Sequence, residues 1–180
     1  MSVVIEKHLF LPSQGIPNHP LFPLLIYRSV LDVESISGAR DFFALFKSRN
    51  WGNAWQNGVF PYHHFHSNTH EVLGVFSGRA SVGFGGEEGV EKEIGRGDVV
   101  VIPAGVGHKA LSASEDFGVV GAYPEERSPD LLSGETPVQL SLAHAISLVP
   151  IPEQDPVYGK DGPLFAEWQN HSPSGKMGTG

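Results

Sequence analysis

GVFPYHHFHSNTHEVLGVFSG, residues 58–78, sets four of the chain's nine histidines and a glutamate between two glycines, then runs into an apolar strand. On an extended chain, side chains two apart share a face. His64 and His66 therefore point one way, and His63 and Phe65 the other. The SNT stretch at 67–69 is turn-like, and Glu71 opens the next apolar run, from which it can return to the face carrying His64 and His66. Two imidazoles and a carboxylate converging from adjacent strands make a metal site of hard-to-borderline character. A catalytic base cluster and a merely polar turn are the competing readings. His70, next to Glu71, should face away from it, as a structural group or a proton shuttle. His63 is expected outside the barrel or at a contact between subunits.

A fourth candidate lies downstream. GRGDVVVIPAGVGH, residues 95–108, gives a β-run over 98–102, a Pro-x-Gly turn, and His108 at the start of the next strand. Gly97 and Gly105 suit tight turns that need unusual φ. Between 58 and 122 the short runs EVLGVF, ASVGF, DVVVIP and FGVVGAY recur between glycine turns. That spacing is the pattern of antiparallel strands in a sandwich or barrel. GFGGEEG at 83–89 reads as a hairpin loop, not a phosphate-binding G-x-G-x-x-G, since no helix follows it.

Around this centre, residues 3–10 and 21–33 read as strand-rich and are split by the turn-rich PSQGIPNHP at 12–20. A helix is predicted over about 38–49, where Ala39, Phe42, Phe43 and Phe46 fall at i, i+3, i+4, i+7 and Ser37 can cap the start. Residues 136–149 read as a helix opened by Thr136-Pro137, with Val138, Leu142, Ala145, Ile146 and Val149 as its stripe. The remainder reads as irregular, with DPVYGKDGPL (155–164) as a strap on the barrel and residues 169–180 as a disordered tail.

The whole chain bounds the answer. At 180 residues it supports one domain with a sizeable core. Its 22 glycines and 14 prolines fit many short elements joined by tight turns. A net charge of −8 with no Lys/Arg run argues against nucleic acid as partner. No segment reaches 18 consecutive apolar residues and no signal-peptide layout is seen, so no membrane partner is expected and the cytoplasm is the expected location. With no cysteine there are no disulfides and no thiolate ligands.

The two histidine stretches together resemble the cupin superfamily. Its first motif, G-x5-H-x-H-x3,4-E-x6-G, is met by Gly58, His64, His66, Glu71 and Gly78. Its second, G-x5-P-x-G-x2-H-x3-N, is met by Gly97, Pro103, Gly105 and His108, with Ser112 in place of the final Asn. HSNTHEVLGVFSG, GDVVVIPAGVGHK, VVGAYP and DPVYGKDGPL are similar to the YjlB-type single-domain cupins over most of residues 1–168.

The resemblance implies an all-β fold, a double-stranded β-helix or jelly-roll barrel with one or two short flanking helices. It implies a single domain over 1–168, a barrel core of about 55–125 with the terminal segments packed on it, and a homodimer. It further implies one divalent metal ion (Fe, Mn, Ni, Co or Zn) held by His64, His66, Glu71 and His108, with about two of six positions left open. A small molecule would bind there, for dioxygenase or oxidase-like chemistry or for Lewis-acid isomerisation or decarboxylation. Glu71 would serve as both ligand and general base. A non-catalytic cupin, binding a small ligand at its metal or purely structural, is the alternative. Tyr62, Trp55 and Tyr123 are candidates to line the substrate mouth, alongside Trp51 and Phe65. Glu125 is a candidate base, and Lys109 a candidate anchor for an anionic substrate.

Overall fold

Strands here alternate their side chains between two different interiors, and that alternation sets the architecture. The computed structural model describes residues 4–134 and 140–169. The expected helix opening at Thr136-Pro137 and residues 170–180 of the expected tail lie outside the described residues.

A six-stranded sheet runs in the order β1 (Ile5–His8), β2 (Leu24–Tyr27), β8 (Val99–Ile102), β5 (Glu71–Ser77), β10 (Gly118–Pro124), β3 (Trp51–Asn57). A five-stranded sheet runs β11 (Leu132–Ser133), β4 (His64–Phe65), β9 (His108–Ala113), β6 (Arg79–Phe84), β7 (Val90–Gly95). All pairings are antiparallel. The sheets reach beyond residues 55–125. β1 and β2 are full members, because β2 pairs with β8 from Leu25↔Val101 to Tyr27↔Val99.

Leu24, Ile26, Leu73, Val75, Val100, Ile102 and Val119 face inward and pack with Val82, Phe84 and Ile94 of the opposite sheet. Leu25, Tyr27, Val72, Val99, Val101, Val120 and Ala122 face outward, yet they are buried too. The outer face is covered by helix α1 (Ala39–Ser48) through Phe42 and Phe46, and by Leu164 and Trp168 of α3 (Pro163–Gln169). Burial on both faces explains why VVVI and VVGAY are apolar without alternation. It also aims Glu71, in phase with Leu73 and Val75, into the interior. Gly74 is the seat of α1: a Cβ there would meet the Phe42 ring at 2.4 Å.

Two expectations are corrected. Ser37 does not cap α1 with its side chain. Gly38 is the N-cap, and the Asp41 carboxylate reaches back to accept the Ser37 N–H at 2.6 Å and its hydroxyl at 3.0 Å. The described residues hold three short helices beside the sheets: α1, α2 (Leu140–Ser147) and α3. The expectation of irregular chain over 163–169 is the second: a helix of seven residues is too short to show an apolar period, although Leu164 and Trp168 are its buried pair, and Pro163 at its first position needs no N–H partner.

The strap before α3 is wound about Asp155, which is fully buried. Its Oδ1 accepts from the Val157 and Tyr158 amides at 2.8 and 3.0 Å. Its Oδ2 accepts from the Tyr27 hydroxyl at 2.6 Å and the Leu164 amide at 3.2 Å. Among the described residues, no helix is long and apolar enough to cross a membrane.

Candidate metal centre

His64 lies on β4 directly opposite His108, the first residue of β9. His66 follows two residues after His64, and Glu71 opens β5 after the SNT turn, paired with Ile102. The Pro103-x-Gly105 turn then carries the chain from β8 to His108. Gly105 sits at φ +85, where a Cβ would meet the Asn18 carbonyl oxygen at 2.8 Å, so the turn needs glycine. Its amide donates to the His66 carbonyl at 2.7 Å, tying the two histidine stretches together.

Each imidazole has one nitrogen fixed by the main chain. His64 Nδ1 donates to the Tyr62 carbonyl at 3.0 Å, His108 Nδ1 to the Val106 carbonyl at 3.1 Å, and His66 Nδ1 to the Asp130 carbonyl. A carbonyl cannot donate, so each Nδ1 carries the proton and each Nε2 is left to face the interior. One ring nitrogen from each of the three histidines lies within 4.8 Å of those of the other two. Glu71 closes the set: Oε1 is 3.2 Å from His108 Nε2 and Oε2 is 3.4 Å from His66 Nε2. All four side chains are buried.

The electrostatics favour one carboxylate among imidazoles. Burial acts to raise Glu71, but the close approach of His108 and His66 outweighs it and holds the carboxyl well below the usual range. Burial and the adjacent His108 push His64 down to about 3, so it stays neutral. Burial acts to lower His66, but its hydrogen bond and charge interaction with Glu71 raise it above the ordinary value. Three imidazole nitrogens and one carboxylate, with no thiolate, suit a divalent first-row metal ion. These four groups can hold one.

The site is the floor of a cavity of about 440 Å³ whose wall includes Trp55, Val59, Phe60, Leu73, Pro129 and Leu131. Tyr123 also lines it. The Tyr123 hydroxyl accepts the Trp55 indole N–H at 2.8 Å. Burial and the nearby Glu71 charge keep the hydroxyl protonated.

The structure brings His64, His66, Glu71 and His108 to one place, with Trp55 and Tyr123 beside them. The other candidates are placed elsewhere. Tyr62 stands outside the cavity, 42% exposed and stacked on Phe60 at 5.2 Å. His70 is no shuttle: Nδ1 accepts the Ala104 amide at 2.9 Å and Nε2 donates to the Pro150 carbonyl at 3.0 Å, inside a wholly buried pocket behind the sheet. Trp51 is core, with its N–H on the Gln154 carbonyl, and Phe65 is fully buried. Glu125 accepts the Glu153 amide in a surface turn, and His63 meets Glu87 at 2.8 Å. Lys109 lines an adjoining cavity.

Asp130 was missed by sequence reasoning. Its backbone carbonyl fixes His66, and its carboxylate takes the Ser67 amide at 2.7 Å and the Ser67 hydroxyl. The turn residue Asn68 accepts the Asp130 amide, which completes the clasp. No local signal marks it, because the partners are more than 60 residues apart.

Residues 47–125 match the cupin family model. The uncharacterized protein YjlB of Bacillus subtilis (strain 168) is 43% identical over 160 residues, covering 88% of this chain and 94% of that protein. The chain belongs to the cupin family. Among solved structures, procruciferin, an 11S globulin from Brassica napus, overlaps 63% of this cupin at 18% identity and a TM-score of 0.39. Bacillus subtilis oxalate decarboxylase, described with Mn(II) centres, overlaps 63% at 18% identity and a TM-score of 0.37. The cupin spans about a quarter of each of these two longer chains, 27% and 28%.

Proposed function

We propose that this cupin is a metal-dependent enzyme that transforms a small molecule held in the cavity above His64, His66, Glu71 and His108. The observation that carries the reading is the division of labour in the three imidazoles. Every Nδ1 is committed to a backbone carbonyl, and every Nε2 is turned, with Glu71, to the floor of one cavity. A bound divalent ion (Fe, Mn, Ni, Co or Zn) would supply Lewis acidity and, if redox-active, electron transfer for oxygenase or oxidase-like chemistry.

The protein's own groups do the rest. Glu71 is held ionised at the cavity floor, where it can accept a proton from a substrate carbon or hydroxyl, as isomerisation or decarboxylation also requires. Tyr123, fixed by Trp55, sets its hydroxyl near the Glu71 carboxylate. The apolar wall of Trp55, Phe60, Leu73 and Leu131 keeps water from the reacting end and strengthens every charge interaction there.

The test is metal content by mass spectrometry on protein purified without chelator or affinity metal, beside a His66→Ala variant. About one equivalent, lost in the variant, is expected for a four-ligand site. No metal in either sample, and none taken up on reconstitution, overturns the reading. Glu71→Ala should then abolish turnover while circular dichroism shows the sheets intact; retained turnover removes Glu71 from the chemistry.

A further inference from the structure

One wall of the metal cavity is held by polar clips rather than by core packing. Residues 127–131 follow β10 and lead into β11, which pairs with β4 through Leu132↔Phe65 and Ser133↔His64. Pro129, Asp130 and Leu131 line the cavity. Among the described residues, none of 127–131 belongs to a hydrophobic core cluster, and Leu131 is 51% exposed. Hydrogen bonds fasten the segment. Asn53 donates to the Arg127 carbonyl at 3.1 Å, and Asn68 donates to the Ser128 carbonyl and accepts the Asp130 amide, each at 3.0 Å. The Asp130 carboxylate takes the Ser67 amide and hydroxyl. Asn53 and Asn68 are exposed, so water competes for their bonds. Segments with few buried apolar contacts and exposed hydrogen bonds are the ones that open first.

The upstream end of the segment is strained. Glu125 and Glu126 both sit in the left-handed region, at φ +51 and +60, which crowds each Cβ against the following carbonyl. Release of the segment lets both residues relax, so a hinge is favoured there. At the other end of the argument stands one residue that joins this wall to the ligand set. The Asp130 carbonyl accepts from His66 Nδ1 while its carboxylate holds Ser67, so the wall cannot swing out without freeing His66.

We infer that residues 127–131 form a gate over the metal centre, hinged at Glu125-Glu126 and latched by Asp130 on Ser67 and Asn68. This rests on the metal-dependent reading above and adds how its site is opened. The state that admits a ligand is the state that holds His66 least, so access to the cavity and grip on the metal change together.

Cobalt(II) exchange tests this. Protein loaded with Co(II) is mixed with excess EDTA, and the loss of its visible absorption gives the release rate; metal-free protein mixed with Co(II) gives the loading rate. Asp130→Ala should speed release by at least about tenfold. Loading should speed up as well, since the metal enters by the same gate. Asn68→Ala, at a residue that neither lines the cavity nor bonds His66, should shift both rates in the same direction. Asp130→Asn keeps an acceptor for the Ser67 amide, and the Ser67 hydroxyl can turn to accept, so both rates should stay within about threefold of wild type. Unchanged rates in Asp130→Ala and Asn68→Ala overturn the gate. Faster release without faster loading also overturns it, and reduces Asp130 to a positioning residue for His66. Hydrogen exchange of the metal-free protein separates the gate from the functional reading. Failure of the wild type to take up Co(II) defeats the metal-dependent reading. Exchange over 127–131 no faster than over β10 overturns the gate by itself, whereas exchange ahead of β10 and quickened in Asn68→Ala sustains it.

Discussion

Tyr123 shows how a residue beside the candidate ligand set can act on its members. Its hydroxyl accepts from Trp55 and feels the charge of Glu71, so its removal leaves an indole N–H without its acceptor and a buried carboxylate with one polar neighbour fewer. Groups that orient metal ligands are typically worth about 10–100-fold in metal affinity or activity. Tyr123→Phe should therefore weaken metal retention by a factor in that range, read by competition against a chelator. Unchanged retention would reduce Tyr123 to part of the wall. The candidate ligands were legible in the sequence because strand period and a short turn bring His64, His66 and Glu71 together locally. The Trp55–Tyr123 pair was not, because it depends on the β3–β10 register and the irregularity between Gly121 and Tyr123. One sign was present: Gly121 within an apolar strand, where a Cβ would meet the Trp55 indole at 2.3 Å.

At the scale of an element, the turn PSQGIPNHP was legible as a break between strands but not as a folded device. His19 makes it one. Nδ1 accepts the amides of Leu21 and Phe22 at 3.1 and 2.9 Å, and the ring lies on Phe22 at 4.2 Å. Phe22 in turn stacks on Trp168 of α3 at 4.9 Å, a contact no local pattern could reveal. An Nδ1 that accepts two N–H groups carries no proton, and burial pushes His19 down to about 4. In the unfolded chain it titrates near 6.5. The folded state therefore binds fewer protons, and stability from His19 is full above about pH 6.5 and lost as pH falls towards 4, up to about 3 kcal/mol. Urea midpoints should fall over that window. His19→Asn, whose side-chain oxygen can take the same amides, should flatten the slope without removing it, since buried His70, held down to about 3, contributes in the same direction. Equal slopes in wild type and variant would place the acid sensitivity elsewhere.

At the scale of the whole molecule, the barrel interior holds the site while the outer face of the six-stranded sheet holds the chain together. DPVYGKDGPL was legible as a strap, but its fastening was not, because the Tyr27 hydroxyl that reaches Asp155 lies 128 residues away. Asp155 gathers four donors from β2, the strap and the start of α3 into one dry carboxylate. Asp155→Ala strands all four, and a buried donor left unpaired costs about 1–3 kcal/mol, so a loss of at least about 3 kcal/mol is expected. Asp155→Asn keeps an acceptor for Val157 and Tyr158 and turns an amide towards Tyr27 and Leu164. Tyr27 can rotate to accept from it, but the Leu164 N–H cannot, so the loss should be smaller than for alanine. Tyr27→Phe removes one bond and should cost about 1 kcal/mol. Urea denaturation followed by tryptophan fluorescence and by circular dichroism separates the possibilities. Trp168 of α3 and Trp51 of β3 share one core cluster with Tyr27, Phe42 and Val101, so the strap should unfold with the barrel and both signals should move together to a lower midpoint. An early fluorescence transition, with the strand signal left at the wild-type midpoint, would instead make the strap and α3 a separate cooperative unit resting on a self-sufficient barrel.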